Sequence, residues 1–250
     1  VFHVIIPARY AASRLPGKPL LDVAGKPLLE WVWESARASG AESVIVATDD
    51  ERIRRAAVAF GADCVMTDEG HASGTDRIAE VARLRGFGAE DVVVNLQGDE
   101  PLMPPQVITE VAAALGPGID VATAVAPVEN LDQFLDTNCV KALRARDGLA
   151  LYFSRAPVPW PRDHVASGRP TVCDGAWRHI GIYAYRVRSL LTMSSWPPTV
   201  LEMTERLEQL RALEHGMKIH LVVLNEAPLP GVDTPDDLER VRVYLGAGFA

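Results

Sequence analysis

The chain has 250 residues, 48% of them hydrophobic, with 33 acidic against 25 basic residues and a formal net charge of −8. That length and apolar content suit one large α/β domain or two small ones. The acidic balance argues against non-specific nucleic-acid binding, which needs a basic footprint. Cys64, Cys139 and Cys173 form no C-x-x-C pair. They predict neither a disulfide framework nor a structural zinc site, and they fit a reducing cytoplasm. No apolar run approaches the roughly 18 residues of a membrane span. The first residues lack the regions of a signal peptide, so no membrane insertion is expected.

Residues 2–6 read as a buried strand that runs straight into Pro7-Ala8-Arg9-Tyr10-Ala11-Ala12-Ser13-Arg14-Leu15-Pro16-Gly17-Lys18-Pro19. This loop places Arg9, Arg14 and Lys18 at the carboxyl end of the first strand, where open α/β sheets bind ligands. Fixed cations beside freed backbone N–H groups suit a polyanion, above all a triphosphate. The loop is neither a Walker A motif nor a dinucleotide fingerprint. Taken alone it is also compatible with a solvated basic loop.

Residues 27–39 carry Leu28, Leu29, Val32, Trp33 and Ala36 at helical spacing, stopped by Gly40. Ser43 to Thr48 is a second strand, and Asp49-Asp50 can cap a helix over 51–60 that Gly61 ends. A short strand over 63–66 and a helix over 75–84 follow. Residues 91–97 are a nearly continuous apolar run, as in a central parallel strand covered on both faces. That run ends in Gly98-Asp99-Glu100-Pro101. Asp99 there can hold Mg²⁺ or cap the turn, and Gly98 leaves room for a ligand to approach the backbone.

A helix over 105–115 opens at Pro104 and Pro105. After Gly118 the pattern shifts to strands over 119–128, 139–145, 149–154 and 179–186, with Pro157, Pro159, Pro161 and Gly168 marking a long connection. A helix over 200–215, a strand over 218–224 and a helix over 235–244 complete the chain. In Gly231-Val232-Asp233-Thr234-Pro235, Thr234 suits the N-cap with Pro235 at N1, which leaves Asp233 free for a metal. Two carboxylates from distant segments beside a cationic phosphate loop would form the clamp that nucleotidyl transfer needs. The βα repeats predict a parallel sheet with helices on both faces, in one domain whose second half is an elaboration.

Taken together, these segments resemble the 3-deoxy-manno-octulosonate cytidylyltransferase family. The resemblance is carried by Ile6-Pro7-Ala8-Arg9-Tyr10 through Lys18-Pro19, Val46-Ala47-Thr48-Asp49, Ser73-Gly74-Thr75-Asp76-Arg77 and Asn95 through Pro101. It continues in Tyr152-Phe153-Ser154-Arg155, Pro159-Trp160, His179-Ile180-Gly181-Ile182-Tyr183, Leu207-Glu208-Gln209-Leu210-Arg211 and Gly231 through Thr234.

The resemblance implies an α/β, Rossmann-like nucleotidyltransferase fold with a mixed, mostly parallel central sheet flanked by helices. It implies one domain over residues 1–250, with 1–118 binding CTP and 119–250 binding the acceptor and a second subunit in a cytoplasmic homodimer. The implied reaction is Mg²⁺-dependent attack of a sugar acid on CTP. Arg9, Ser13, Arg14 and Lys18 would grip the triphosphate, Arg9 and Lys18 acting with Asp99 and Asp233 in catalysis. Asp99 and Asp233 would hold the metal. Pro7, Ala8, Ser73, Gly74 and Arg77 would lie near the cytidine. Gln97, Arg155, His179, Tyr183, Glu208 and Gln209 would form the acceptor pocket, with Lys141 a further contact to phosphate or acceptor. Trp160 and Trp196 are candidates for the subunit interface.

The chain departs from the family pattern at Thr137 and Val200, where a Pro is common, and both departures bear on loop shape near the acceptor. Rival readings keep the chemistry with another acid, a sialic acid or a phosphonate, or make the chain a non-catalytic nucleotide-binding module.

Overall fold

The computed structural model describes residues 1–11, 15–162, 172 and 174–247. In chain order the first half runs β1 (Phe2–Ala8), a hairpin of β2 (Asp22–Val23) and β3 (Lys26–Pro27), α1 (Leu28–Ala38), β4 (Ser43–Thr48), α2 (Glu51–Ala59), β5 (Asp63–Met66), α3 (Gly74–Leu84), β6 (Val92–Asn95) and α4 (Pro105–Ala113). The second half runs β7 (Val121–Pro127), α5 (Leu131–Leu135), β8 (Lys141–Arg144), β9 (Ala150–Ser154), β10 (Trp177–Arg186), α6 (Val187–Ser195), α7 (Val200–Glu205), α8 (Gln209–Glu214), β11 (Ile219–Val223) and α9 (Pro235–Gly246).

The main sheet has the order β11-β7-β10-β6-β1-β4-β5, with β8 and β9 added beside β10. Pairs β1–β4, β1–β6, β4–β5 and β7–β11 are parallel. Strand β10 is antiparallel to both of its central neighbours, β6 and β7. The sheet is therefore mixed and mostly parallel, as expected. Strand alternation divides the core cleanly. Val4, Ile6, Val46, Val94 and Ile182 face one layer, while Ile5, Ile45, Val93, Val125 and Tyr185 face the other. Each fully buried Val, Leu or Ile contributes about 1.5–3 kcal/mol by leaving water. Two helix-covered faces thus explain why the strands read as apolar runs.

Three differences from expectation have local causes. The helix expected over 200–215 is two helices, α7 and α8, because Arg206 adopts a left-handed conformation with φ 55°. Helix α5 is only five residues, too short to show a period. Helix α6 follows β10 with no turn residue between them, so nothing in the sequence punctuates the change. The cap expected at the start of α2 is present, the Arg52 N–H donating to Asp50 at 2.8 Å.

A third core cluster joins the two ends of the chain. Val23 and Leu28 pack with Val232, Leu238, Val241 and Leu245. Helix α9 is thereby anchored on the β2–β3 hairpin and α1, and the segment before it is delivered to the carboxyl edge of β1 and β6.

Candidate active site

The two predicted metal aspartates meet. Asp99 follows β6, and Asp233 precedes α9. Gly231 makes the approach possible: a Cβ there would stand 2.7 Å from the Asp99 carbonyl oxygen and 2.8 Å from Glu100 Oε1. The neighbouring Val232 N–H donates to that same carbonyl at 2.8 Å. Thr234 caps α9 in a reciprocal box with Asp237, which leaves the Asp233 carboxylate uncommitted to the helix, as the sequence predicts.

Lys18 lies between the two acids. Its Nζ donates to Asp99 Oδ2 at 2.6 Å, to the Val232 carbonyl at 2.8 Å and to Asp233 Oδ1 at 3.2 Å. Burial of the lysine opposes its charge, but the two carboxylates outweigh that and hold its pKa above the ordinary value. Lys18 was expected on the triphosphate; here all three of its donors serve the acids and the adjoining backbone. Two carboxylates and a carbonyl converging on one point are hard oxygen donors of the kind Mg²⁺ takes, with the rest of its shell left to water and phosphate. Among the described residues no group of three or more His, Cys, Asp or Glu side chains is placed to hold a metal ion.

A cavity of about 280 Å³ opens beside this cluster, lined by Pro7, Ala8, Arg9, Lys18, Ser73, Gly74, Gln97 and Asp99, among others. Arg9 joins its two walls by donating to the carbonyls of His71 and Ser73. Ser73 is the N-cap of α3 and Gly74 its first residue, so the positive end of a helix faces the cavity. Gly98 serves packing more than ligand access: a Cβ there would lie 2.9 Å from the Pro7 carbonyl oxygen, which makes β1, not a ligand, the neighbour that needs the missing side chain. Ser13 and Arg14 lie outside the described residues.

Arg77 is placed behind the cavity, not in its wall. It is fully buried, its Nη2 donating to Asp49 Oδ2 at 2.5 Å and its Nη1 to the Thr67 hydroxyl. The arginine therefore ties α3 to the ends of β4 and β5.

The acceptor residues fall into two groups. His179 and Tyr183 stand on one face of β10, their ring centroids 5.4 Å apart across a register shift between Ile180 and Tyr183. Bulges of this kind re-aim side chains near active sites. The buried Thr123 hydroxyl supports the bend, 2.9 Å from His179 Nε2 and 2.7 Å from the Ile182 carbonyl. Burial lowers the His179 pKa to about 3 and raises the Tyr183 phenol well above its ordinary value. Both rings are neutral near pH 7.

Glu208 and Gln209 are both turned inward. The Thr75 hydroxyl donates to Glu208 Oε2 at 2.6 Å, linking this group to the start of α3, and burial pushes the Glu208 carboxyl up. Gln209 is buried, and its Nε2 has no partner among the described residues. Gln97 donates to Asn95 at 3.1 Å and lines the 280 Å³ cavity. Arg155 is occupied with backbone, donating to the carbonyls of Glu205 at 2.7 Å and Thr137 at 2.9 Å. It lines neither of the two cavities that meet at Asp99. Lys141 is fully buried and donates to the carbonyls of Asp136 and Cys139, so it braces a loop where a ligand contact was expected. Trp196 stacks on His215 at 3.9 Å between centroids, an internal contact.

Sequence reasoning missed the second cavity. About 620 Å³ in volume, it lies on the other side of Asp99 and is lined by Glu100, Asn138, Arg178, His179 and Asp233, among others. Burial, then the neighbouring charges of Asp99 and Asp233, push the Glu100 carboxyl up to about 8. Its place in the acidic turn was visible, but its burial was not.

A family model described as Cytidylyltransferase matches residues 3–219. The chain is 54% identical over 250 residues to a 3-deoxy-manno-octulosonate cytidylyltransferase of Pseudomonas fluorescens, covering 98% of each chain. It is 51% identical to the protein of the same name from Aliivibrio fischeri strain MJ11, again covering 98% of each. A solved CMP:2-keto-3-deoxy-manno-octonic acid synthetase complexed with CTP is 39% identical, with a TM-score of 0.89 over 99% of this chain and 100% of that one. A cytidylyltransferase of Leptospira borgpetersenii, 16% identical with a TM-score of 0.63 over 98% of this chain and 87% of that one, shares the fold. Motifs, fold and relatives agree along the whole chain, which belongs to the 3-deoxy-manno-octulosonate cytidylyltransferase family.

Proposed function

We propose that the chain is an enzyme that transfers a cytidylyl group from CTP to 3-deoxy-D-manno-octulosonate, giving CMP-Kdo and pyrophosphate. The anomeric 2-hydroxyl oxygen bonds to the α-phosphorus as the bond from that phosphorus to the bridging oxygen breaks. Pyrophosphate leaves with the electron pair, and the hydroxyl proton passes to solvent. The observation that carries the reading is the meeting of Asp99 and Asp233 on one point, within 2.6 and 3.2 Å of a single nitrogen, at the edge of a cavity walled by a helix N-terminus.

The residues present fit Mg²⁺, with Asp99 and Asp233 as its protein ligands. The ion would neutralise phosphate charge and lower the pKa of the attacking hydroxyl. Arg9, with Lys18, binds triphosphate oxygens. Pro7, Ala8, Ser73 and Gly74 form a close wall that favours a pyrimidine over a larger purine. Neutral His179 and Tyr183, with Gln97, Glu208 and Gln209, orient the hydroxyls of the sugar acid. No general base is required of His179, whose low pKa makes it a poor proton acceptor.

The test is CTP- and Mg²⁺-dependent pyrophosphate release measured across Kdo, a sialic acid and a small phosphonate. Turnover of Kdo is expected. Turnover only of another acid would replace the acceptor, and tight CTP binding with no turnover of any acid would make the chain a binding module.

Two further readings belong to the same proposal. The enzyme works as a homodimer through its second half, where Leu151, Val200 and Met203 are 64%, 69% and 52% exposed, and Trp160 is 55% exposed. Sedimentation of a fully active monomer at micromolar concentration would remove this. It works in the cytoplasm: Cys64 and Cys139 are free thiols, and no helix among the described residues is long and apolar enough to cross a membrane. Cell fractionation tests that placement.

A further inference from the structure

We infer that Lys18 is the protein's own occupant of the metal position: without nucleotide its ammonium fills the place between Asp99 and Asp233 and excludes free divalent metal, yielding only to metal that arrives with the triphosphate. The inference rests on the proposed role of the two aspartates as metal ligands.

The ammonium has three N–H donors, and three oxygens take them: Asp99 Oδ2 at 2.6 Å, the Val232 carbonyl at 2.8 Å and Asp233 Oδ1 at 3.2 Å. These are the oxygens a hard cation would use. The arrangement is built, not an adventitious surface pairing. The Lys18 side chain is only 12% exposed, and it springs from a 3-10 turn that follows Gly17 in its left-handed conformation. The Val232 carbonyl is held in place by the bond from the Val232 N–H to the Asp99 carbonyl. In this geometry the Lys18 ammonium itself neutralises the two acids in part.

A divalent ion entering alone would have to eject the ammonium and leave it beside a dication with no new partner. Like charges at that separation repel strongly where burial limits screening. An ion entering with a triphosphate is different, because Lys18 also lines the 280 Å³ cavity beside Asp99. There the displaced ammonium exchanges two carboxylates for phosphate oxygens. Lys18 would therefore make metal binding conditional on nucleotide, and its two roles, counter-ion and triphosphate grip, would be successive.

The test is Mn²⁺ binding to the nucleotide-free protein, followed by electron paramagnetic resonance. Wild type should bind weakly at this pair. Lys18→Met should bind on the order of tenfold more tightly or better, and Lys18→Met with Asp99→Asn should lose that gain. Lys26→Met, which removes a surface lysine paired with Glu34, should match wild type. A Lys18→Met protein that binds no more tightly than wild type overturns the inference. So does a gain that survives Asp99→Asn, or an equal gain in Lys26→Met. A second measurement needs no variant: the ¹⁵N-resolved ammonium signal of Lys18 should be protected in empty wild type, unmoved by Mg²⁺ alone, and displaced by Mg²⁺ with CTP. Displacement by Mg²⁺ alone overturns the inference. Neither readout involves turnover, so its failure leaves the proposed reaction standing.

Discussion

Replacing Arg77 by Met separates a nucleotide contact from a buried brace. The Arg77 side chain is 0% exposed and that of Asp49 19%, with the pair 2.5 Å apart. Removing one member of a buried pair strands the other and costs about 3–5 kcal/mol. Water reaches the partly exposed Asp49, which favours the lower end. The Thr67 hydroxyl loses a partner as well, at about 1 kcal/mol. For a protein of this size each kcal/mol shifts Tm by roughly 2–4 °C, so a loss of about 4 kcal/mol should make Arg77→Met melt roughly 8–16 °C below wild type. Adding Asp49→Asn removes the stranded charge and should recover much of the loss, giving a large coupling in a double-mutant cycle. The assay is thermal and urea unfolding of all four proteins, with CTP KM measured well below the transition. An Arg77→Met protein of wild-type stability whose only defect is a raised CTP KM would refute the reasoning and return Arg77 to the nucleotide.

Asp99→Ala and Asp233→Ala should each reduce turnover on the order of a hundredfold or more. Because the Asp233 side chain is 68% exposed, its variant should unfold within about 0.5 kcal/mol of wild type in urea; near-normal rates at low Mg²⁺ would remove the ligand assignment. His179 has its folded pKa lowered to about 3 from an ordinary 6.5. The unfolded chain therefore binds more protons between those values, and stability should fall with acid by up to about 1.4 kcal/mol per pH unit. His179→Gln should flatten the acid limb of the urea midpoint between pH 6.5 and 3, and an unchanged slope would count against it. Arg155→Ala releases the carbonyls of Glu205 and Thr137. Because Asp136 and Asn138, on either side of Thr137, line the larger cavity, loosening this loop should raise the KM for the sugar acid severalfold and leave that for CTP unchanged, as read from initial rates; the reverse split would tie the loop to the triphosphate.

The apolar runs of β1 and β6 revealed the central strands because both of their faces are covered, and the glycine and capping signals marked most helix ends. The convergence of Asp99 and Asp233 could be anticipated from one rule, that ligands gather at the carboxyl edge of the sheet. What stayed hidden depends on contacts distant in sequence. Arg77, Lys141 and Arg155 are each a cation in a plausible place, and only burial and partners distinguish a brace from a ligand contact. Lys18 lies among the residues the sequence points to, but its partners Asp99, Val232 and Asp233 depend on Gly231, whose close approach to Asp99 has no local signature. The break at Arg206 was equally invisible, since a left-handed arginine lies within an otherwise regular helical pattern.

The position of β10 decides how the chain can be cut. A fragment ending near Gly118 would keep β1, β4 and β5 but leave one side of β6 without the strand that pairs it in the whole protein. That open edge would invite self-association. The same fragment would lack α9, whose Leu238, Val241 and Leu245 cover Val23 and Leu28. Co-expressed halves should therefore reassemble through strand insertion, whereas the amino-terminal piece made by itself should collect in the insoluble fraction.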